Sequence, residues 1–305
     1  MRPWLFAALV LTAACARPTA APATPAVTPT SPPSPAATAS PTPSAPSALA
    51  IFDAHLHYSR EAWTVYPPDR VAALLDSVGV RAALVSSAPD EGTFRLRAVL
   101  GERVVPVLGP YRNPTDVFSW TRDLSILPYV ESAYRRGVHR GFGEFHVSVG
   151  QTKLPVVAGV LAFAAREKLF LQPHADARAV AEVLDAAPGA TVLWAHAGVD
   201  ATPDQIDALL GKWSNLWVEL SLRDDIAPHG ELDRRWGLLL MKYGERFMVG
   251  TDTWTVGGTF TGNERWDRYA EIVSSIRAWL LQLPPELADA IAHRNAERFI
   301  DQLPR

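Results

Sequence analysis

The fold is decided by the stretch Ala50-Ile51-Phe52-Asp53-Ala54-His55-Leu56-His57-Tyr58, an apolar run that ends in two histidines. Side chains two positions apart on an extended strand lie on the same face, so His55 and His57 are predicted to project together from a strand end. Paired imidazoles on one face are ligands that zinc and similar divalent metals prefer. An isolated pair could also be two unrelated histidines, so the choice depends on what later strands supply.

Composition narrows the classes of function. The 305-residue chain is 48% hydrophobic and 20% charged, which is an ordinary globular balance. Its net charge of -3 and its lack of a strongly basic stretch disfavour nucleic acid as a partner. The single cysteine, Cys15, excludes an intrachain disulfide and a cysteine-based zinc site. A metal would therefore be held by histidine and carboxylate, which suit Zn²⁺ first and also Mn²⁺ or Fe²⁺.

The N-terminal residues have the pattern of an export signal. Residues 1–15 begin with the positive Arg2, continue with a short apolar segment and end in small residues before Cys15. This pattern resembles a bacterial lipoprotein signal in which Cys15 is lipidated, although the usual leucine lies one position early; an ordinary secretory signal is the alternative. The chain is therefore predicted to lie outside the cytoplasm, anchored by lipid to the bacterial cell membrane or outer membrane.

Residues 16–49 are a low-complexity run of alanine, proline, threonine and serine in which Arg17 is the only charge. Such a composition cannot bury a core and predicts disorder with polyproline II character. We interpret the segment as a tether to a folded domain of residues 50–305. An O-glycosylated or inert spacer is compatible with this interpretation.

From residue 50 onward, short β-rich runs alternate with helical segments. We predict strands at residues 51–55, 81–87, 103–108, 140–146, 170–174, 191–196, 216–221 and 246–252. Apolar spacing predicts helices at 69–78, 127–136, 155–168, 177–186, 203–210, 232–243, 263–283 and 284–303, with Thr202 as the N-cap of the fifth. This alternation indicates a (β/α)8 TIM barrel. A doubly wound open sheet is the competing topology, but the sequence has no glycine-rich phosphate loop to support it.

Polar residues fall at the ends of five predicted strands. Catalytic residues of a TIM barrel come from the C-terminal ends of its strands. Burying an imidazole or a carboxylate there costs free energy unless the group is paired or ligates a metal. One common metal site explains all of these strand ends, which carry His55 and His57, Glu144 and His146, His174, His196, and Asp252.

These residues resemble the amidohydrolase superfamily of metal-dependent barrels, and more narrowly the amidohydrolase-related group that also contains decarboxylases. His55-Leu56-His57 matches the family's first-strand His-x-His, and Asp252 in Gly-Thr-Asp-Thr matches its eighth-strand aspartate. His174 in Gln-Pro-His-Ala and His196 in Trp-Ala-His-Ala-Gly match its fifth- and sixth-strand histidines. The closing Asn-Ala-Glu-Arg-Phe at residues 295–299 resembles the helix that ends many members, so the resemblance spans about residues 50 to 305.

The fourth strand departs from the pattern of many binuclear members, which carry a carboxylated lysine there. No lysine closes this strand, and Glu144 occupies the place, as in TatD-like hydrolases. The alternative for Glu144 is a contact to a ligand or substrate in a one-metal enzyme. The proline that often follows the eighth-strand aspartate in the decarboxylase-containing group is also absent.

The resemblance implies a metal-dependent hydrolase of a small molecule. It places one metal on His55, His57 and Asp252 and a second on His174 and His196, with Glu144 bridging. Activated water would attack a carbonyl or phosphoryl centre, and Asp252 would take its proton and return it to the leaving group. A one-metal, non-oxidative decarboxylase is the rival enzyme, and a tethered, non-catalytic binding protein is the alternative of another class.

Weaker signals predict substrate contacts. His146 lies on the same strand face as Glu144, although a solvated loop histidine is an equal alternative. Arg112 and Arg223 follow strands three and seven and could clamp a substrate carboxylate, with a salt bridge to Asp224 or Asp225 as the default for Arg223. Tyr58 and Trp254 follow ligand positions and are predicted to line the pocket.

Replacement of the lone cysteine tests the anchor. Cys15→Ser is expected to release the full-length protein from membranes, because a lipid contributes about 0.8 kcal/mol per buried CH₂ and no other segment of the sequence is predicted to insert. Fractionation followed by immunoblotting measures the membrane-bound share, with Ser40→Ala in the tether as the control. Membrane association that is unchanged in Cys15→Ser would contradict the lipoprotein interpretation.

Overall fold

The computed structural model describes residues 49–255 and 264–303. The predictions for the signal, for Cys15 and for the tether up to residue 48 lie outside these described residues. Within the described ranges, every helix is too short or too polar to cross a bilayer.

Eight parallel strands form one sheet in chain order, and helices lie between them. The strands are β1 (Ile51–His57), β2 (Val80–Ser86), β3 (Val104–Leu108), β4 (Gly141–His146), β5 (Phe170–His174), β6 (Val192–Trp194), β7 (Leu216–Glu219) and β8 (Phe247–Met248). Every neighbouring pair is parallel, from β1 with β2 to β7 with β8. The architecture is the predicted (β/α)8 TIM barrel.

The barrel closes between β1 and the residues that follow β8. The Asp252 N–H donates to the carbonyl of His55 at 2.8 Å, and the His57 N–H donates to the carbonyl of Thr253 at 2.8 Å. These bonds continue the parallel ladder beyond the two-residue β8. Closure therefore holds the predicted ligands of the first and last strands side by side.

A buried carboxylate reinforces this closure. Asp53 on β1 accepts hydrogen bonds from the Thr251 N–H at 2.9 Å, from the Thr251 hydroxyl at 2.8 Å and from the Tyr269 hydroxyl at 2.9 Å. Burial raises the pKa of Asp53 to about 6, while the hydrogen bonds from Thr251 act in the opposite direction. Asp53 thus links β1 both to the chain after β8 and to the helix that begins at Tyr269.

The helices pack their apolar stripes on the outside of the barrel. They are α1 (Pro68–Ser77), α2 (Glu91–Leu100), α3 (Ile126–Tyr134), α4 (Pro155–Arg166), α5 (Ala177–Ala186), α6 (Pro203–Lys212), α7 (Arg234–Tyr243), α8 (Glu264–Asp267), α9 (Tyr269–Leu280), α10 (Pro285–Asp289) and α11 (Asn295–Asp301). In α4, Val157, Val160, Leu161 and Ala164 have the i, i+3, i+4, i+7 spacing of a buried stripe. The predicted N-cap of α6 is confirmed, since Thr202 forms a capping box with Gln205.

Several elements differ from the sequence prediction, and β8 (Phe247–Met248) is much shorter than the predicted strand 246–252. Helix α2 was not predicted, because Gly92 and Thr93 lower its helix propensity; Gly92 is needed there, since a Cβ would lie 2.0 Å from the Tyr58 carbonyl oxygen. The predicted helix 263–283 is interrupted between α8 and α9, at Arg268. The sixth strand ends before His196, because His196 and the next residue adopt left-handed backbone angles.

Candidate metal centre

The carboxylate of Glu144 lies at the centre of the predicted site. Its Oε2 atom is 3.5 Å from Nε2 of His55 and 3.3 Å from Nε2 of His57. Its Oε1 atom is 2.8 Å from Nδ1 of His174 and 2.9 Å from Nε2 of His196. The two oxygens of one carboxylate therefore face two separate pairs of imidazoles.

Asp252 faces the pair on β1. Its Oδ1 atom is 3.6 Å from Nε2 of His55 and 3.3 Å from Nε2 of His57. The Asp252 backbone has a φ of 46°, a left-handed conformation. Arg265 holds the carbonyl of Asp252 with a 2.6 Å hydrogen bond from Nε. The strand ends thus bring all six predicted ligands together, as the sequence predicts.

A further carboxylate, Glu219 at the end of β7, orients two of the histidines. It is fully buried and accepts from Nδ1 of His55 at 2.9 Å, from the backbone N–H of His196 at 3.2 Å and from the Ser221 hydroxyl at 2.8 Å. Because the Ser221 proton is donated to Glu219, the Ser221 oxygen accepts from Nδ1 of His196 at 2.8 Å. Glu219 therefore fixes the Nδ1–H tautomer of His55 directly and that of His196 through Ser221.

His57 is oriented by the backbone. Its Nδ1 atom lies 3.3 Å from the carbonyl oxygen of Ser86, which can only accept a hydrogen bond. His55, His57 and His196 therefore all turn Nε2, the nitrogen without a proton in the neutral ring, toward the carboxylates at the centre. His174 differs, since it presents Nδ1 and its side chain is about one-third exposed.

This donor set fits a divalent cation. Imidazole lone pairs and carboxylates at such short range repel one another unless a proton or a metal ion lies between them. Four ligand atoms around a tetrahedral zinc ion would be separated by about 3.3 Å, given zinc–ligand bonds of roughly 2.0–2.1 Å. The Nε2 atoms of His55 and His57 are 3.0 Å apart, and each lies 3.3 to 3.6 Å from an oxygen of Glu144 and from an oxygen of Asp252.

The electrostatics of the centre also favour a positive charge. Burial alone would lower the pKa of His55, yet the charges of Glu144 and Asp252 raise that pKa well above its ordinary value. Burial alone would raise the pKa of Glu144, yet His55 and the hydrogen-bonded histidines hold it well below its usual range. The pKa of Asp252 is lowered for the same reason, chiefly by His55 acting against burial. The carboxylates therefore remain ionised and attract a cation.

Gly250 lets the chain after β8 approach this network. A Cβ at this position would lie 2.5 Å from Oε1 of Glu219 and 2.7 Å from Cβ of His55. Both separations are too short for real atoms, so any other residue would displace the carboxylate that orients His55. In the sequence Gly-Thr-Asp, Gly250 thus allows close packing and Asp252 is a predicted metal ligand.

Of the predicted substrate contacts, His146 lies at this centre. His146 stacks on His174 with ring centroids 4.0 Å apart, and its Nε2 atom is 3.8 Å from Oε2 of Glu144. Trp254 lies two residues beyond Asp252 and is partly exposed. Their contact with a substrate stays a prediction.

The predicted substrate contact of Tyr58 is wrong. Its side chain is fully buried, and its hydroxyl donates to the carbonyl of Tyr66 at 2.7 Å. Residues that adjoin one another on a strand point to opposite faces, so Tyr58 packs among aromatic side chains outside the barrel while His57 points inward.

The predicted carboxylate clamps are also wrong. Arg223 forms hydrogen bonds to Asp225 from Nε and from Nη2, both at 2.8 Å, and its other donors bind backbone carbonyls; the alternative salt bridge is confirmed. Arg112 donates to Asp116 at 2.9 Å and to Asp123 at 2.6 Å, and also to the Ser125 hydroxyl. Both guanidinium groups are therefore occupied by protein partners.

A cavity of about 840 Å³ lies beside the centre, between the loop after β7 and α9. Ser221 and Gly250 border it, but no predicted metal ligand is among the described residues that line it. Its wall mixes aliphatic side chains, Leu222 among them, with arginine and carboxylate groups.

Comparison with known proteins gives a match at the level of structure. No protein-family model and no curated protein matches the sequence. A Pseudomonas putida structure named for 2-pyrone-4,6-dicarboxylic acid hydrolase shares 15% identity over 84% of this chain and 99% of that chain, with a TM-score of 0.54. A zinc-bound amidohydrolase from Burkholderia multivorans shares 16% identity over 84% of this chain and 100% of that chain, with a TM-score of 0.53.

A third similar structure is N-acetyl-D-glucosamine-6-phosphate deacetylase from Mycobacterium smegmatis, with 18% identity over 83% of this chain and 76% of that chain and a TM-score of 0.51. At such identities the likeness concerns the fold. The expected resemblance to amidohydrolase structures is confirmed at that level.

Substitution of Gly250 tests the packing of the centre. Gly250→Ala is expected to destabilise the protein by about 1–3 kcal/mol, because the added methyl group overlaps Glu219 and His55. Urea denaturation measures the change, and Gly189→Ala is the matched control, since a Cβ at Gly189 meets no atom within 4 Å. Equal stability of the two variants would contradict the proposed crowding.

Proposed function

We propose that this chain is a metal-dependent hydrolase of the amidohydrolase superfamily that acts on a small molecule. The observation that carries the proposal is that the two oxygens of Glu144 face two pairs of imidazoles. In three of these four imidazoles, the other ring nitrogen is held by a fixed hydrogen-bond acceptor. The similarity in fold to a zinc-bound amidohydrolase and to enzymes named as a hydrolase and a deacetylase supports it.

The arrangement supports two metal ions with the division that the family resemblance implies. His55, His57 and Asp252 would hold one ion, because Asp252 faces both of these imidazoles. His174 and His196 would hold the other. Glu144 would be shared, since each of its oxygens already faces one of the two sets. Zinc suits the donors best among common ions, and manganese or iron would also fit.

A divalent metal bound here would lower the pKa of water toward neutrality and polarise the oxygen of a carbonyl or phosphoryl substrate. Asp252 would accept the proton of the attacking water and return it to the leaving group, because its lowered pKa keeps it ionised at neutral pH. Glu219 would hold His55, and through Ser221 also His196, in the orientation that leaves Nε2 facing the centre.

The predicted signal and tether indicate where the enzyme would act. Lipidation of Cys15 would place the barrel outside the cytoplasm, at the end of residues 16–49. The chemistry would then be directed at molecules of the cell exterior or periplasm.

Replacement of Glu144 distinguishes the two enzyme hypotheses. If Glu144 is shared, Glu144→Gln should lower the metal content from about two ions per chain toward one and reduce hydrolysis by orders of magnitude. Elemental analysis of purified protein measures the first effect, and a panel of esters, lactones, amides and phosphoesters measures the second. His293→Gln, outside the barrel interior, is the control and should keep both values.

Metal content and reaction products also show which results would contradict the proposal. A single tightly held metal in the wild type, with a content unchanged in Glu144→Gln, would contradict the shared carboxylate. Release of carbon dioxide from a carboxylated substrate would identify the rival decarboxylase.

A further inference from the structure

Four exposed apolar side chains lie on loops that follow the strand ends of the centre, and we call them the apolar collar: Val149, Val199, Leu222 and Trp254. They are exposed by 38%, 45%, 39% and 40%, respectively. Each lies within three residues of a side chain at the centre, on the loops after β4, β6, β7 and β8. The collar therefore belongs to the barrel face on which the predicted ligands meet.

Two collar residues have backbone conformations that their side chains disfavour. Val199 has a φ of 59° and a ψ of -54°, and Leu222 has a φ of 59°. A positive φ is rare for bulky and β-branched residues, and the ψ of Val199 also lies outside the left-handed helical region. Exposed valine and leucine at strained positions add little core burial, so stability of the fold does not explain them. Strain of this kind concentrates at functional sites.

The hydrogen-bond partners of the arginines near the strand ends also favour an uncharged substrate. The guanidinium groups of Arg112 and Arg223 are taken up by aspartates of their own loops, as described above. Arg265, beyond β8, donates to the carbonyls of Thr251 and Asp252. These three arginines are the first lysine or arginine residues that follow the ends of β3, β7 and β8 in sequence. Their guanidinium groups donate to carboxylate, hydroxyl and carbonyl oxygens of the protein.

We infer that the apolar collar binds an aliphatic or aromatic group of the substrate. The substrate class would be a neutral ester, lactone or amide whose apolar portion has several carbons. This inference rests on the proposed metal-dependent hydrolysis, which it makes more specific. Contact with Leu222 and Trp254 would remove apolar surface of the substrate from water, and each fully buried methylene strengthens binding by up to about fourfold.

A pair of metal-binding probes tests the collar without relying on turnover. Titration calorimetry on the metal-loaded full-length chain compares octanohydroxamic acid with acetohydroxamic acid, which share the metal-binding group and differ in chain length. We expect octanohydroxamic acid to bind at least about tenfold more tightly, since only part of its chain needs to be buried.

Asparagine variants connect that preference with the collar. Val199→Asn and Leu222→Asn remove apolar surface, while asparagine adopts a positive φ more readily than valine or leucine does, so both variants should fold. Each should reduce the affinity ratio of the two hydroxamic acids by at least about threefold. Leu238→Gln, which removes an exposed leucine from the outer face of α7, is the matched control and should leave the ratio unchanged.

Several outcomes would overturn the inference. These are equal affinity for the two probes, no binding of either, or a ratio that the collar variants do not change. Loss of sedimentation with phosphatidylcholine vesicles when the collar variants are compared in a Cys15→Ser background, with an unchanged ratio, would assign the collar to membrane contact instead. Turnover of p-nitrophenyl acetate and octanoate, measured in parallel, separates the two proposals: a chain-length preference in binding without any hydrolysis would contradict the hydrolase alone.

Discussion

The hydrogen bond from Nδ1 of His55 to the buried carboxylate of Glu219 is the interaction on which the rest of the centre depends. A carboxylate without contact to water must be surrounded by donors, and Glu219 obtains them from His55, His196 and Ser221. In meeting that requirement, it determines which nitrogen of each ring carries the proton. The nitrogens left without protons converge with Glu144, and this convergence makes the centre a candidate metal site.

The barrel makes this arrangement possible through the way it closes. Strand β8 has two residues, so the join to β1 relies on backbone bonds beyond it and on the buried Asp53. Gly250 lies in the same segment and allows it to approach His55 and Glu219. The contacts that close the barrel therefore also fix the position of Asp252. The same short segment after β8 stabilises the fold and supplies a predicted metal ligand.

Much of the centre could be predicted from the sequence, because parallel strands of a barrel end at one edge and a polar residue ending an apolar run is conspicuous. That rule found Glu144, His196 and Asp252 together. It applied equally to Glu219, which ends the apolar run Leu-Trp-Val-Glu, and the prediction missed that residue. The orientation of Tyr58 can also be predicted, since alternation along the chain turns it away from the face that carries His57.

Other features could not be predicted, because they depend on tertiary partners. The pairing of Arg112 with Asp116 and Asp123 is decided by the path of a loop that has no periodic pattern. The left-handed backbone of His196, which ends the sixth strand early, likewise arises from packing rather than from local propensity. Sequence patterns therefore locate residues on an edge of the sheet, while the partners of their polar atoms follow from the folded chain.

We infer that Glu144 lies between two metal ions, which are bound by imidazole nitrogens whose opposite ring nitrogens are held by the protein. A crystal structure of the zinc-loaded chain, with anomalous diffraction recorded at the zinc edge, tests it most directly. We expect two anomalous peaks on opposite sides of the Glu144 carboxylate, one bonded to Nε2 of His55 and His57 and the other to Nε2 of His196. A peak bonded to Nδ1 of His55, or no peak beside Glu144, would contradict it.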